Sequence, residues 1–129
     1  MKHVIFIYGT LRKGLRLHHH MQGADYLEKA RLKGRLYDVG TYPGLVVDPN
    51  SDWVWGELFQ LSEELIKHLD SVEEYDPNNP SQCEYIRKRV SVLNSHDQMI
   101  NALTYVYNFE PKGLTLIRSG DYKKYLEFG

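Results

Sequence analysis

The stretch Trp53-Val54-Trp55-Gly56-Glu57-Leu58-Phe59-Gln60-Leu61 runs directly into Ser62-Glu63-Glu64-Leu65-Ile66-Lys67-His68-Leu69-Asp70-Ser71-Val72-Glu73-Glu74, and its period changes in the middle. Up to Leu61 the alternation has period two, which puts Trp53, Trp55, Glu57 and Phe59 on one face of a strand. The two tryptophans on that face read as core packing. Ser62, followed by Glu63 and Glu64, reads as an N-cap with an acidic first turn. Leu65, Leu69 and Val72 then recur at helical spacing. The helix is expected to reach about Glu74 and to stop before Asp76-Pro77-Asn78-Asn79-Pro80.

Strand signals surround this helix. Upstream, Val4-Ile5-Phe6-Ile7-Tyr8 is a buried strand closed by Gly9, with a loop from Thr10 to Gly14. His18 to Ala24 reads as a short helix. Tyr26 to Val39 is a long strand with Ala30, Leu32, Gly34 and Leu36 on alternate positions. Tyr42-Pro43-Gly44 is a turn, Leu45 to Val47 a strand, and Asp48 to Asp52 another turn. Downstream, Glu84 to Leu93 and Gln98 to Asn108 form a hairpin across Asn94-Ser95-His96-Asp97. Ser119-Gly120-Asp121 starts a last short helix carrying Tyr122, Tyr125 and Leu126. Strands, one main helix, then strands again describe an α+β fold, a curved sheet or small mixed β-barrel.

Length and charge exclude several function classes. The 129 residues fit one domain, 1–129, and ten tyrosines favour strands. Sixteen basic and seventeen acidic residues leave a net charge of −1, so there is no basic field to attract nucleic acid or an anionic membrane. The short clusters Arg12-Lys13 and Arg87-Lys88-Arg89 read as solvated faces. A single cysteine, Cys83, in a polar loop and without a paired base, excludes a disulfide framework and any Cys-based zinc pattern. The apolar runs are too short to span a bilayer, and Gly9 and Arg12 interrupt any signal-peptide core. A cytoplasmic location and a monomer are the default expectations.

The candidate chemistry lies at the end of the helix. Ile66, Leu69 and Glu73 are related as i, i+3 and i+7, so Glu73 falls on or beside the stripe that should face the core. Partial desolvation and the negative end of the helix dipole both push a carboxylate pKa upward, as a general base near neutrality requires. The other reading is an amphipathic helix that simply ends in a solvated acidic pair. Asp70 and Glu74 crowd the same end with no cation at helical spacing, and Asp70 reads as solvated or capping. Gly9, straight after a buried strand, would let backbone N–H groups converge on an anion, although a strand followed by glycine is also an ordinary turn. His18-His19-His20 points three ways on a helix and makes a poor metal site. No phosphate-binding glycine signature is present. Unaided, these residues specify a small α+β domain with one functional carboxylate at most.

In order along the chain stand Tyr8-Gly9-Thr10-Leu11-Arg12, Gly34-Arg35-Leu36-Tyr37-Asp38-Val39-Gly40 with Tyr42-Pro43-Gly44, and Trp55-Gly56-Glu57-Leu58-Phe59. Leu69-Asp70-Ser71-Val72-Glu73-Glu74-Tyr75, Tyr85-Ile86-Arg87 and Ser119-Gly120-Asp121 follow. Together these segments resemble the γ-glutamylcyclotransferase family, in its small bacterial branch. The resemblance implies a mixed α+β barrel with its pocket near the C-terminal end of the first strand. It implies cyclisation of a small-molecule γ-glutamyl substrate, releasing 5-oxoproline and an amine or amino acid, without metal or organic cofactor. The glutamate of the family's Leu-Asp-x-x-Glu motif, its acid/base, falls on Glu73. The loop Tyr8, Gly9, Thr10 and Leu11 would hold the γ-glutamyl group through its backbone, with Tyr85, Arg87 and Tyr105 as further pocket-lining candidates. Glu74 departs from the glycine of many members, and an extra carboxylate there would narrow the entrance or repel acidic leaving groups. The alternative of another class is a non-catalytic binding module of the same fold.

Overall fold

A computed structural model describes residues 2–129. The strands are β1 (Lys2–Ile7), β2 (Asp25–Asp38), β3 (Pro43–Val47), β4 (Trp53–Ser62), β5 (Tyr85–Asn94), β6 (Met99–Tyr107) and β7 (Thr115–Leu116). The helices are α1 (Glu63–Val72) and α2 (Tyr122–Phe128). β1 lies between β4, antiparallel, and β6, which it meets in parallel at Ile5 and Leu103. β2 pairs with β4 on one side and with β5 on the other, and β5 pairs with β6. That circuit closes a five-stranded barrel, with β3 and β7 added along the far end of β2.

Period-two alternation sorts the strands into two cores. Phe6, Tyr8, Ala30, Leu32, Leu36, Val54, Leu58, Val92 and Val106 pack together inside the barrel. Ile5, Ile7, Phe59 and Leu61 face outward and meet Ile66 and Leu69 of α1, with Tyr85 and Tyr105 beside them. β1 is therefore covered on both faces, which explains its unbroken apolar run. The strand-to-helix junction forms as its sequence dictates, Leu65 N–H donating to Ser62 Oγ at 3.2 Å. Gly56 is required by close approach. A Cβ there would sit 2.4 Å from the Ile7 carbonyl oxygen and 2.8 Å from the Phe6 ring.

Four sequence expectations need correction or refinement. Trp53 and Trp55 do share a face with Glu57 and Phe59, but it is the outside of the barrel, and the interior positions are Val54, Gly56 and Leu58. Both tryptophans lie under cations instead, Arg31 at 4.5 and 5.5 Å and Lys33 over Trp53 at 4.5 Å. The expected helix from His18 is a single 3-10 turn, His18–Met21. There His18 Nδ1 lies 2.8 Å from the Leu11 carbonyl, and His20 contacts His68. Cys83 lies in a loop, as expected, but is buried there, its sulfur accepting the Asp76 amide.

The fourth correction is the largest. Arg12 is not solvated but 5 % exposed. Its Nε donates to Glu57 Oε2 at 3.1 Å and its Nη1 to Asp121 Oδ1 at 2.9 Å. Glu57 also accepts the Lys13 amide at 3.0 Å and Lys123 Nζ at 3.2 Å. Burial alone would raise the Glu57 pKa, but these donors and charges outweigh it and hold the carboxylate below its usual value. Asp121 is meanwhile the N-cap of α2. The network thus ties the segment after β1 to both the barrel wall and α2. Removing one partner of a buried pair strands the other charge, so Arg12→Met should lose about 3 kcal/mol of stability in urea unfolding. A loss no larger than that of an exposed arginine would show that the network does not pin the segment.

Candidate active site

β1 ends at the wall of a pocket with about 350 Å³ of empty space, open to solvent on one side. Tyr8, Gly9, Thr10 and Leu11 form one wall, Tyr42 and Pro43 another, and Tyr85 and Tyr105 reach in from β5 and β6. Glu73, the residue that caps α1, completes the lining. A Cβ on Gly9 would stand 2.8 Å from Pro43 Cγ, so only glycine lets these two walls come so close.

The loop after β1 has an asymmetric hydrogen-bond pattern. Its carbonyls are occupied: Gly9 O accepts from the Arg12 amide at 3.0 Å, Thr10 O from the Leu17 amide at 3.0 Å, and Leu11 O lies 2.8 Å from His18 Nδ1. Among the described residues, nothing accepts from the amides of Gly9, Thr10 or Leu11. Adjacent unpaired N–H groups on a pocket wall suit a carboxylate or a developing oxyanion.

The tyrosines contribute shape rather than protons. Tyr8 OH donates to the Tyr105 carbonyl at 2.7 Å, Tyr85 OH to the Pro43 carbonyl at 2.6 Å, and Tyr105 OH to Asp70 Oδ1 at 2.7 Å. Burial pushes the Tyr8, Tyr85 and Tyr105 phenols up, and Tyr42 rises to about 12 because it donates to Glu84 at 2.6 Å. All four stay neutral near pH 7. Glu73 does not share that restriction. Burial first, and the charge of Glu84 second, raise its pKa from 4.5 to about 7.

Asp70, expected to be solvated or capping, ion-pairs with Arg87 Nη1 at 2.6 Å as well as accepting from Tyr105. Arg87 therefore stands behind the pocket rather than on its wall, holding the last turn of α1 against β5. Tyr42, Pro43 and Glu84 were not among the residues expected at the site. Tyr42-Pro43-Gly44 reads in the sequence as a turn and as one segment of the family resemblance, and Glu84 only as the start of a strand. Glu74 takes a left-handed φ of 56°. Its amide donates to the Ser71 carbonyl at 3.1 Å, and that of Tyr75 to the Asp70 carbonyl at 2.8 Å. This is the Schellman arrangement that usually ends a helix on glycine, so helix geometry accounts for the residue type favoured there.

Residues 5–124 match the family model described as "Gamma-glutamyl cyclotransferase, AIG2-like". The γ-L-glutamyl-butirosin B γ-glutamyl cyclotransferase of Niallia circulans is 37% identical over 123 residues, covering 94% of this chain and 76% of that protein. The crystal structure of YkqA from Bacillus subtilis superposes with a TM-score of 0.78 at 31% identity, covering 97% of this chain and 41% of that one. An AIG2-like protein from Mus musculus, 24% identical, has the same fold with a TM-score of 0.71 over 86% of this chain and 81% of that one. No helix among the described residues is long and apolar enough to cross a membrane.

The raised pKa has a consequence for stability. Between pH 4.5 and about 7 the folded Glu73 keeps a proton that the unfolded chain has released, so stability falls as pH rises through this window. Glu73→Gln removes that penalty. At pH 8 the variant should resist urea better than wild type, by on the order of 1–3 kcal/mol, and the advantage should vanish near pH 4.5. An equal difference at both pH values would contradict a desolvated carboxyl at this position.

Proposed function

The chain belongs to the γ-glutamylcyclotransferase family, and we propose that it releases 5-oxoproline from a γ-glutamyl amine or amino acid with Glu73 as general acid/base. The observation that carries this reading is the meeting of Glu73, with its pKa near 7, and the unpartnered amides of Gly9, Thr10 and Leu11 in one pocket.

The chemistry follows from the substrate. Its α-amine and γ-carbonyl belong to one molecule, so ring closure needs folding rather than encounter. At neutral pH the α-amine is an ammonium and cannot attack. The Glu73 carboxylate takes a proton from it, and the freed lone pair forms a bond to the γ-carbonyl carbon. Negative charge then develops on the carbonyl oxygen, where loop amides stabilise it. Collapse breaks the bond to the leaving nitrogen, which receives that proton from Glu73, and the carboxylate so freed takes the second proton from the ring nitrogen. The five-membered lactam results, and the amine leaves as an ammonium with that second proton, returning Glu73 to its ionised form. Tyr42, Tyr85 and Tyr105 supply apolar walls that compress the glutamyl chain and exclude water.

This mechanism uses the ionised form of Glu73 in the free enzyme. The kcat/KM for 5-oxoproline release should therefore rise with pH through a midpoint near 7. Glu73→Gln should reduce kcat by about 10²–10⁴-fold while circular dichroism and 5-oxoproline binding persist. A variant that turns over like wild type, or a wild type that binds 5-oxoproline but releases none, would overturn the assignment.

A further inference from the structure

A second recess opens on the outer side of Glu73. It has about 580 Å³ of empty space and shares Thr10, Tyr42, Glu73 and Tyr85 with the inner pocket. Glu73 thus stands on the boundary between the two. If the inner pocket takes the γ-glutamyl group, the nitrogen that Glu73 protonates leaves into the outer recess. The lining of this recess then meets the leaving group.

That lining is acidic. Glu73, Glu74 and Glu84 all contribute, against one arginine, Arg16, whose Nη2 donates to the Thr41 carbonyl at 3.0 Å. Glu84 is anchored by Tyr42 OH, so its carboxylate is held in place at the wall. Glu74 is exposed and fixed at the end of α1 by the two capping hydrogen bonds described above. Its left-handed φ is one that glycine adopts without strain, so the glutamate is carried there against a backbone preference. The carbonyl end of α1 adds negative potential to the same rim. The field reaches the neighbouring groups: Glu84 raises Glu73, and both Glu84 and Glu74 raise Tyr42.

We propose that Glu74 and Glu84 form a cation-selecting subsite for the leaving group, so that the preferred substrates are γ-glutamyl amides of aliphatic diamines or polyamines. The second ammonium of such an amine lies against the two carboxylates. A γ-glutamyl amino acid would instead bring its own carboxylate into this field. The inference rests on the cyclotransferase reading and narrows it to one class of leaving group.

Three amides of matched length test it: γ-glutamyl-1,4-diaminobutane, γ-glutamyl-n-pentylamide and γ-glutamyl-5-aminopentanoate, ending in an ammonium, a methyl and a carboxylate. The readout is the ratio of kcat/KM values for 5-oxoproline release, which partial unfolding or a weakened acid/base would not change. Wild type should prefer the ammonium over the methyl, and the methyl over the carboxylate, by roughly fivefold per step at low salt and less at high salt. In Glu74→Lys the order should flatten or invert, and Glu84→Gln should narrow it. Equal rates for all three in wild type, or ratios that neither substitution moves, would overturn the subsite and leave the cyclotransferase reading standing. No release from any of the three would overturn both.

Discussion

The buried contact between Arg12 and Glu57 is the constraint on which the site depends. Glu57 sits on β4 opposite Ile7, the last residue of β1, so its carboxylate lies where the chain leaves the barrel. By binding the Arg12 side chain and the Lys13 amide, it fixes the path of the segment that follows the pocket loop. Asp121 shares the same guanidinium and caps α2, which places the C-terminal helix against the same corner. Two cations and two carboxylates meet there, Arg12 and Glu57 buried and Asp121 and Lys123 partly exposed, and each has a partner. A corner built this way tolerates little displacement, because moving Arg12 or Glu57 strands a charge in low dielectric.

From that corner the rest of the site follows. The fixed loop commits its carbonyls to Arg12, Leu17 and His18 and leaves its amides to the pocket. Asp70 and Arg87 clamp the end of α1 to β5, and the clamp carries Glu73 to the opposite wall. Tyrosines whose hydroxyls are already engaged fill the space between. Their hydroxyls supply no proton donor near neutrality, so the pocket combines an apolar enclosure with a single carboxyl poised to exchange protons. In the proposed reaction the division of labour is electrostatic: amides for charge that develops on oxygen, Glu73 for protons that move between nitrogens.

Much of this was legible in the sequence, for identifiable reasons. The switch from period two to helical spacing at Ser62 marked the β4–α1 junction, and the spacing of Ile66, Leu69 and Glu73 put the carboxylate on the buried stripe. Those are local signals, carried within a few turns of chain. Arg12 and Glu57 are 45 residues apart, and Asp70 and Arg87 are 17 apart, so neither pair leaves a periodic trace. Period two also says which residues share a face without saying which face is inside, and Trp53 and Trp55 were misplaced for that reason. Desolvation of Glu73 was expected from the helix stripe. Its second contributor, Glu84, comes from a different element and could be seen only once β5 was folded against α1.

The proposed role of Glu73 rests on its exchanging a proton near neutrality because the pocket desolvates it. Carbon-13 NMR of the side-chain carboxyls, with the Glu73 resonance assigned by its loss in Glu73→Gln, reads this directly. The expected result is a titration midpoint near 7 for Glu73. A midpoint near 4.5, where an ordinary solvated glutamate titrates, would contradict it.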